Sequence, residues 1–328
     1  MDRRAFLSTV AGSLLTTPLT AGAQQAGKVY RIGVLWHADS REAEGPIFEA
    51  FLAGLRERGY IEGGNVVFEH RFAGEIGERF ASLAAELVAL KPDILVGVSP
   101  PSAVALKKTG TNIPIVFTMV GDAEAVGLVE SHSRPGKTIT GFTILSADLT
   151  AKRLQMLLEI LPGMKVVGVL YNPDGPLAKR ILLEAASATR ALGLAAQVTE
   201  VRNADEIDTS FARFAKAGVK AVLVASDALL WRERKRIAHA AIAAGIAETQ
   251  FSREGAEAGS LFSYGSNLPE VARHTSDYVV RILAGVPPRD LPVVEPSRFE
   301  LVINLKTAKA LGLTIPPSLL QRADQVIE

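Results

Sequence analysis

The chain has 328 residues, with 36 lysines and arginines against 35 aspartates and glutamates, five histidines and no cysteine. So balanced a charge supplies no basic field for nucleic acid or anionic lipid. The absent thiols exclude disulfides, thiolate metal ligands, a thiol nucleophile and a lipidated cysteine.

The first residues read as an export signal. Arg3 and Arg4 precede Phe6 and Leu7, a weakly apolar stretch follows, and Ala21-Gly22-Ala23 offers a small-residue cleavage pattern. The stretch is shorter and more polar than the roughly 20 apolar residues that cross a bilayer. Paired arginines followed by Phe and Leu match the twin-arginine class. Residues 1–23 are therefore expected to be removed, leaving a soluble, unlipidated protein in the periplasm. The competing reading is a frayed amphipathic helix. Removal takes away two arginines and one aspartate, so 34 basic and 34 acidic residues remain.

YRIGVLWH reads as a buried strand, and a helix from about Glu44 to Arg58 carries Ile47, Phe48, Phe51, Leu52 and Leu55 on one face. Next come the strand NVVFEHRF, a helix across GERFASLAAELVAL, the strand DILVGVS, a helix over SAVALKK and the strand IPIVFTMV. TITGFTI is a further strand, and a helix opens at Leu149. From KVVGVLYN the order repeats through AKRILLEAASATRALG, LAAQVTEV, IDTSFARFAKAG, AVLVAS, RERKRIAHAAIAAG and AETQFS. RIGVLWHAD also resembles VVGVLYNPD letter by letter.

The expected fold class is α/β, with two doubly wound parallel-sheet lobes joined by a hinge. Lobe one takes residues 28–143 and about 266–290; lobe two takes 144–265 and about 291–328. Three short crossings are expected, the last in the Pro-rich tail, where a strand and a helix follow. Loops after parallel strands gather at one sheet edge, where open α/β sheets bind ligands. Two facing edges form a cleft; two rigidly packed lobes are the alternative.

Catalytic constellations are missing. His37, His70, His132, His239 and His274 lack metal-ligand spacing, and neither G-x-S-x-G nor G-x-G-x-x-G occurs. SRPGKT contains the Gly-Lys-Thr of a phosphate loop, but Ser131 replaces its first glycine and a strand follows where a helix belongs. No enzyme activity, cofactor or metal is expected. Acidic groups such as Glu254 and Glu257 read as helix-start residues favoured by the dipole.

Strand ends instead carry groups suited to a small polar solute. Ser99 and Ser102 flank two prolines at a helix start whose free amides attract a carboxylate. Asp122 follows the fourth strand and suits an ammonium group. Trp36 and His37 stand at the tip of the first strand, Tyr171 and Asn172 at the matching tip in lobe two. Ser226 and Asp227 follow AVLVA, and Tyr264 and Asn267 lie near a crossing. An aromatic wall with a few polar groups is the usual composition of a small-ligand pocket. The candidate site is thus Trp36, Ser99, Ser102 and Asp122 from lobe one with Asn172, Asp227 and Tyr264 from lobe two.

TNIPIVFTMVGD, the RPG…TGF segment, LYNP, EAGSLFSYGSNLPE and FELVINLKTAKALGLTIPPSLLQRADQVIE carry a resemblance that covers nearly the whole chain. They are similar to the ABC-transporter substrate-binding family that includes tryptophan- and tyrosine-binding lipoproteins. The resemblance implies a type I periplasmic binding protein architecture, a small-molecule ligand and an ABC permease in the inner membrane as partner. It implies a pocket at the Ser99–Ser102 turn, Asp122, Asn172, Asp227 and the Ser263–Tyr264 region. The chain departs from the family pattern in GDAEAVGLV, where a proline commonly follows the Asp, and in SDALLW, which replaces a Pro-Asp pair. The function expected is solute binding for import of an amino-acid-like or carboxylate ligand, by a monomer. Alternatives are a sensor subunit for a membrane receptor and, behind it, a periplasmic enzyme.

Overall fold

The computed structural model describes residues 28–328. The export signal expected at residues 1–23 lies outside the described residues. Strand β1 (Tyr30–Trp36) leads into α1 (Arg41–Glu44) and α2 (Pro46–Glu57), two helices where a single one was expected. Ser40 caps α1 by accepting the Ala43 N–H, and Gly45 breaks the run at φ 57°, a conformation glycine adopts without steric cost. Pro46 then opens α2, where its missing N–H has no intrahelical use.

β2 (Val66–Phe72), α3 (Gly77–Ala89), β3 (Ile94–Val98), α4 (Ser99–Lys108), β4 (Ile115–Val120) and β5 (Ile139–Thr143) complete the first sheet unit. The strands lie in the order β2-β1-β3-β4-β5 and are all parallel. Alternation along β1 sends Ile32, Val34 and Trp36 into one core, under α2, and Leu35 into the other. Helices thus cover both faces, as a parallel sheet requires.

The second unit begins with α5 (Thr150–Ile160), β6 (Val166–Tyr171), α6 (Ala178–Ala191), β7 (Ala195–Glu200) and α7 (Glu206–Lys216). It continues through β8 (Ala221–Val224), α8 (Ala228–Arg232), α9 (Arg234–Ala243), β9 (Ala247–Gln250), α10 (Arg253–Ala258) and β10 (Phe262–Gly265). After α11 (Leu268–Leu283) come β11 (Glu300–Asn304), α12 (Leu305–Ala310), α13 (Pro317–Leu320) and β12 (Gln325–Ile327). The sheet order is β12-β11-β10-β9-β8-β6-β7. Without its two last strands it repeats the first sheet strand for strand. β11 departs from the parallel pattern by pairing antiparallel with β10.

The chain passes between the two sheets three times. α11 returns to the first unit, where Thr275 Oγ1 donates to Thr118 Oγ1 on β4 at 2.8 Å. Leu291 and Val293 also pack in first-unit cores, and Val294 bridges Phe142, so the third passage comes after Val294. The first two passages are tied together. Ser266 Oγ donates to the Ile144 carbonyl at 2.9 Å, and the buried Arg153 donates to the carbonyls of Ser146 (2.7 Å) and Tyr264 (3.4 Å). Among the described residues no helix is long and apolar enough to cross a membrane.

Candidate functional site

The carboxyl ends of β3 and β4 in the first lobe face those of β6 and β8 in the second. α4 starts at Ser99 directly after β3, with Ser99 held at φ 76° in the left-handed region. A non-glycine residue there costs on the order of 1–3 kcal/mol and persists only where its surroundings enforce it. Pro100 and Pro101 bring no N–H to the first turn, and no side chain caps the helix. The hydroxyls of Ser99 and Ser102 are buried without a hydrogen-bond partner.

Met119 (φ 58°) sits where the β4–β5 register shifts between Phe117 and Val120, and its side chain lines the cleft. Bulges of this kind re-aim side chains beside functional sites. Glu75 (φ 58°) and Leu145 (φ 48°) are strained in the same sense. Four of the five non-glycine residues at positive φ among the described residues thus lie at or beside the cleft.

From the second lobe, Asn172 follows β6 and Asp227 follows β8. Asp227 caps α8 by accepting the N–H groups of Leu229 (2.9 Å) and Leu230 (3.3 Å). Asn172 Nδ2 donates to both its oxygens, at 3.2 and 3.3 Å. Burial, followed by the charge of Glu75 across the cleft, raises the Asp227 carboxyl to about 6, while these donors oppose the rise.

Behind the cleft, His37 is wedged between Glu44 (Nε2 to Oε2, 3.3 Å) and Glu75, which contacts Nδ1. Burial alone would lower this imidazole, but the charges of Glu44 and Glu75 outweigh it and raise it to about 9. His37 is therefore an imidazolium at neutral pH. Glu44 Oε1 accepts the Ala38 N–H at 2.9 Å, which fixes one end of the group.

Trp231, on the last turn of α8, closes the cavity from the second lobe. It lies edge-on to His37, with centroids 5.4 Å apart and planes at 74°, and the Arg234 guanidinium stands 4.1 Å over its ring. Phe251, Leu177 and Ile181 of the second lobe face Ile47, Met119 and Ile144 of the first. The free space at the centre is about 50 Å³, room for a few waters at about 10–15 Å³ each. Outside it a groove of about 1060 Å³ opens between the lobes, bordered by Glu75, Glu78, Pro101, Asn172, Asp174 and Asp227.

The lobes are closed on each other. Arg232 Nη1 donates to the Gly74 carbonyl at 2.8 Å, and Arg180 Nε lies 3.8 Å from Asp122 Oδ2, an ion-pair distance. Gly121 meets the second lobe so closely that a Cβ there would lie 2.7 Å from Leu177 Cδ1.

Of the residues expected from the sequence, Ser99, Asn172 and Asp227 meet at the cavity. Asp122 stands next to Gly121, but its carboxylate accepts the Ala125 N–H at 2.9 Å and faces Arg180. Ser102 is buried in α4 without lining the cavity. Trp36 lies in the first-lobe core, stacked on Phe72, tilted against Phe48 and donating its indole N–H to His70 Nδ1 at 3.0 Å. Tyr264 packs on the second-lobe core near Phe299. Trp231 and Phe251 were not anticipated. The available signal was Trp231 itself, one of only two tryptophans in the chain, four residues after the strand-end Asp227. Among the described residues no group of three or more His, Cys, Asp or Glu side chains could hold a metal ion.

Known proteins resemble this chain in sequence and in fold. The family described as ABC transporter substrate binding protein matches residues 34–327. A curated "Tyrosine-binding protein" of Clostridioides difficile (strain R20291) is 24% identical over 266 residues, covering 81% of this chain and 76% of its own. A solved structure of a conserved domain protein from Vibrio cholerae superposes with a TM-score of 0.86 at 28% identity, covering 91% of this chain and all of the other. The structure of an ABC domain from Streptococcus pneumonia in complex with L-Trp gives a TM-score of 0.84 at 25% identity, over 92% of this chain and all of the other.

Proposed function

The chain belongs to the ABC transporter substrate-binding protein family, and from that premise we propose that it binds a small amino-acid-like or carboxylate solute between its lobes for an ABC importer. In this reading it is exported to the periplasm by the arginine-led signal, carries no lipid anchor and catalyses no reaction. The observation that carries the proposal is the cavity between the lobes, lined by Ser99 at the start of α4, with its hydroxyl unpartnered, and by Asn172 and Asp227 of the second lobe.

The roles follow from the chemistry. The start of α4 presents the positive end of a helix dipole and a free hydroxyl, which suit a carboxylate. Asp227 supplies a negative charge for an ammonium group. It takes that role in place of Asp122 because Asp227 lines the cavity, whereas Asp122 lies outside the lining and faces Arg180. A ligand that touches both lobes only when they are closed stabilises the closed form and shifts the population toward it. The permease then meets a shape that differs between loaded and empty protein.

A thermal-shift screen against amino acids, keto-acids, simple carboxylates and sugars tests this reading. A ligand at about 100 times its Kd adds about 2.7 kcal/mol, a rise of roughly 5–10 °C for a lobe of this size. That rise should shrink in Ser99→Ala and Asp227→Asn. A shift that both variants keep in full would place the ligand elsewhere.

A further inference from the structure

Trp231 belongs to the second-lobe chain, yet its ring is 3% exposed and packs in the core cluster built on the first lobe. Its position is set from three sides. Asp227 caps α8 one turn earlier, Arg234 covers one ring face, and His37 meets the ring from the opposite lobe. Its indole N–H is buried without a hydrogen-bond partner, although tryptophan buries that group mostly with one. On the other lobe, the Ser99 hydroxyl lines the same cavity and is equally unpartnered. Each lobe thus brings to the lining of one small cavity a residue with a buried, unpartnered donor, a pairing that suits an acceptor held between them.

We propose that Trp231 determines which solutes this cleft accepts. Its indole N–H and the Ser99 hydroxyl donate from opposite lobes to one carboxylate of the ligand, which only a closed cleft allows. The indole ring fills the room that a ligand's aromatic side chain needs, so the solutes taken are carboxylates with short aliphatic side chains, up to about the size of valine. Phe251 lines the cavity as well and restricts it further. The inference rests on the reading of the cleft as the solute site and narrows its ligand class.

Isothermal titration of the chain with L-alanine, L-valine, isobutyrate, L-tryptophan, L-tyrosine and benzoate tests it. The wild type should bind among the first three and reject the aromatic three. Trp231→Phe keeps the ring packing and removes the N–H, and should weaken the small carboxylates about tenfold or more, the effect of one lost hydrogen bond to a charged group. Trp231→Ala should admit the aromatic compounds. Should that variant fold poorly, Trp231→Phe and the wild-type preference decide alone. Wild-type binding of L-tryptophan or benzoate as tight as that of L-valine overturns the proposal, as does an unchanged affinity in Trp231→Phe. A wild type that binds none of the six overturns it together with the small-carboxylate reading of the cleft. Binding of small carboxylates with no Trp231→Phe effect leaves that reading standing alone.

Discussion

Trp231 of the second lobe stands edge-on to His37 of the first, ring centroids 5.4 Å apart, and His37 is itself an imidazolium held by Glu44 and Glu75. The charges of Glu44 and Glu75 keep His37 protonated against the cost of its burial. The folded chain raises His37 from an ordinary 6.5 to about 9. Its contribution to stability is therefore fully present below pH 6.5 and is lost as pH rises through 9. The melting temperature should fall between pH 7 and 10, and His37→Gln should remove much of that slope while lowering stability at pH 6. An identical slope in the variant would assign the effect to other groups.

Asp227 gives a pH dependence of the opposite kind, in binding. Its carboxyl is raised to about 6 in the closed cleft. Below that pH it is protonated and offers an ammonium group no counter-charge. Affinity for an amino acid should therefore weaken as pH falls through 6, whereas an amine-free carboxylate of similar size should not weaken with it. Asp227→Asn should weaken the amino acid by about 1.5–3 kcal/mol, or some 10- to 150-fold, at pH 7.5. Calorimetric titration at pH 5 and pH 7.5 checks both; equal affinities at the two pH values would remove Asp227 from the ammonium contact.

Closure itself can be obstructed at Gly121. A Cβ at this position would lie 2.7 Å from Leu177 Cδ1 and 3.1 Å from Ser146 Oγ. Gly121→Val should hold the lobes apart, so ligand affinity drops at least tenfold while the melting temperature of the unliganded chain changes little. Unchanged affinity would mean that the two lobes yield at this contact without cost.

Trp36 separates stability from binding. It is fully buried among Phe48, Phe51 and Phe72 and does not line the cavity. Trp36→Ala should cost about 3–5 kcal/mol of stability, read by denaturant unfolding, and leave the order of preference among ligands as in the wild type. A reversal of that order would put Trp36 in contact with the solute.

Much of the architecture is legible in the letters because Val/Ile runs and helical periods alternate without interruption from Tyr30 to Gln250. The break at Gly45 and the short edge strand Gln325–Ile327 are not legible: one rests on a single φ, the other on three partly exposed residues. Part of the proposed site is legible in the letters. Ser99, Asn172 and Asp227 stand at strand ends that topology gathers together. Trp36 stands at such an end too, but strand alternation puts it on the face of Ile32 and Val34, under α2. That alternation was available in the sequence and outweighs nearness to a strand tip. Asp122 stands at a strand end as well, but it lies outside the cavity lining, where its carboxylate accepts the Ala125 N–H and faces Arg180. Phe251 could not be found this way, because its place depends on how the two lobes meet.

The central claim is that a solute draws the two lobes together around it. The chain has no cysteine, so Glu78→Cys and Asp174→Cys, on opposite sides of the groove, can carry a fluorescent donor and acceptor without background labelling. Energy transfer between them should rise on addition of the ligand found by the thermal screen and saturate at the same concentration as the calorimetric signal. The rise should be absent in Gly121→Val. Calorimetric binding with no change in transfer would contradict closure on the solute, and with it the account given of the cleft.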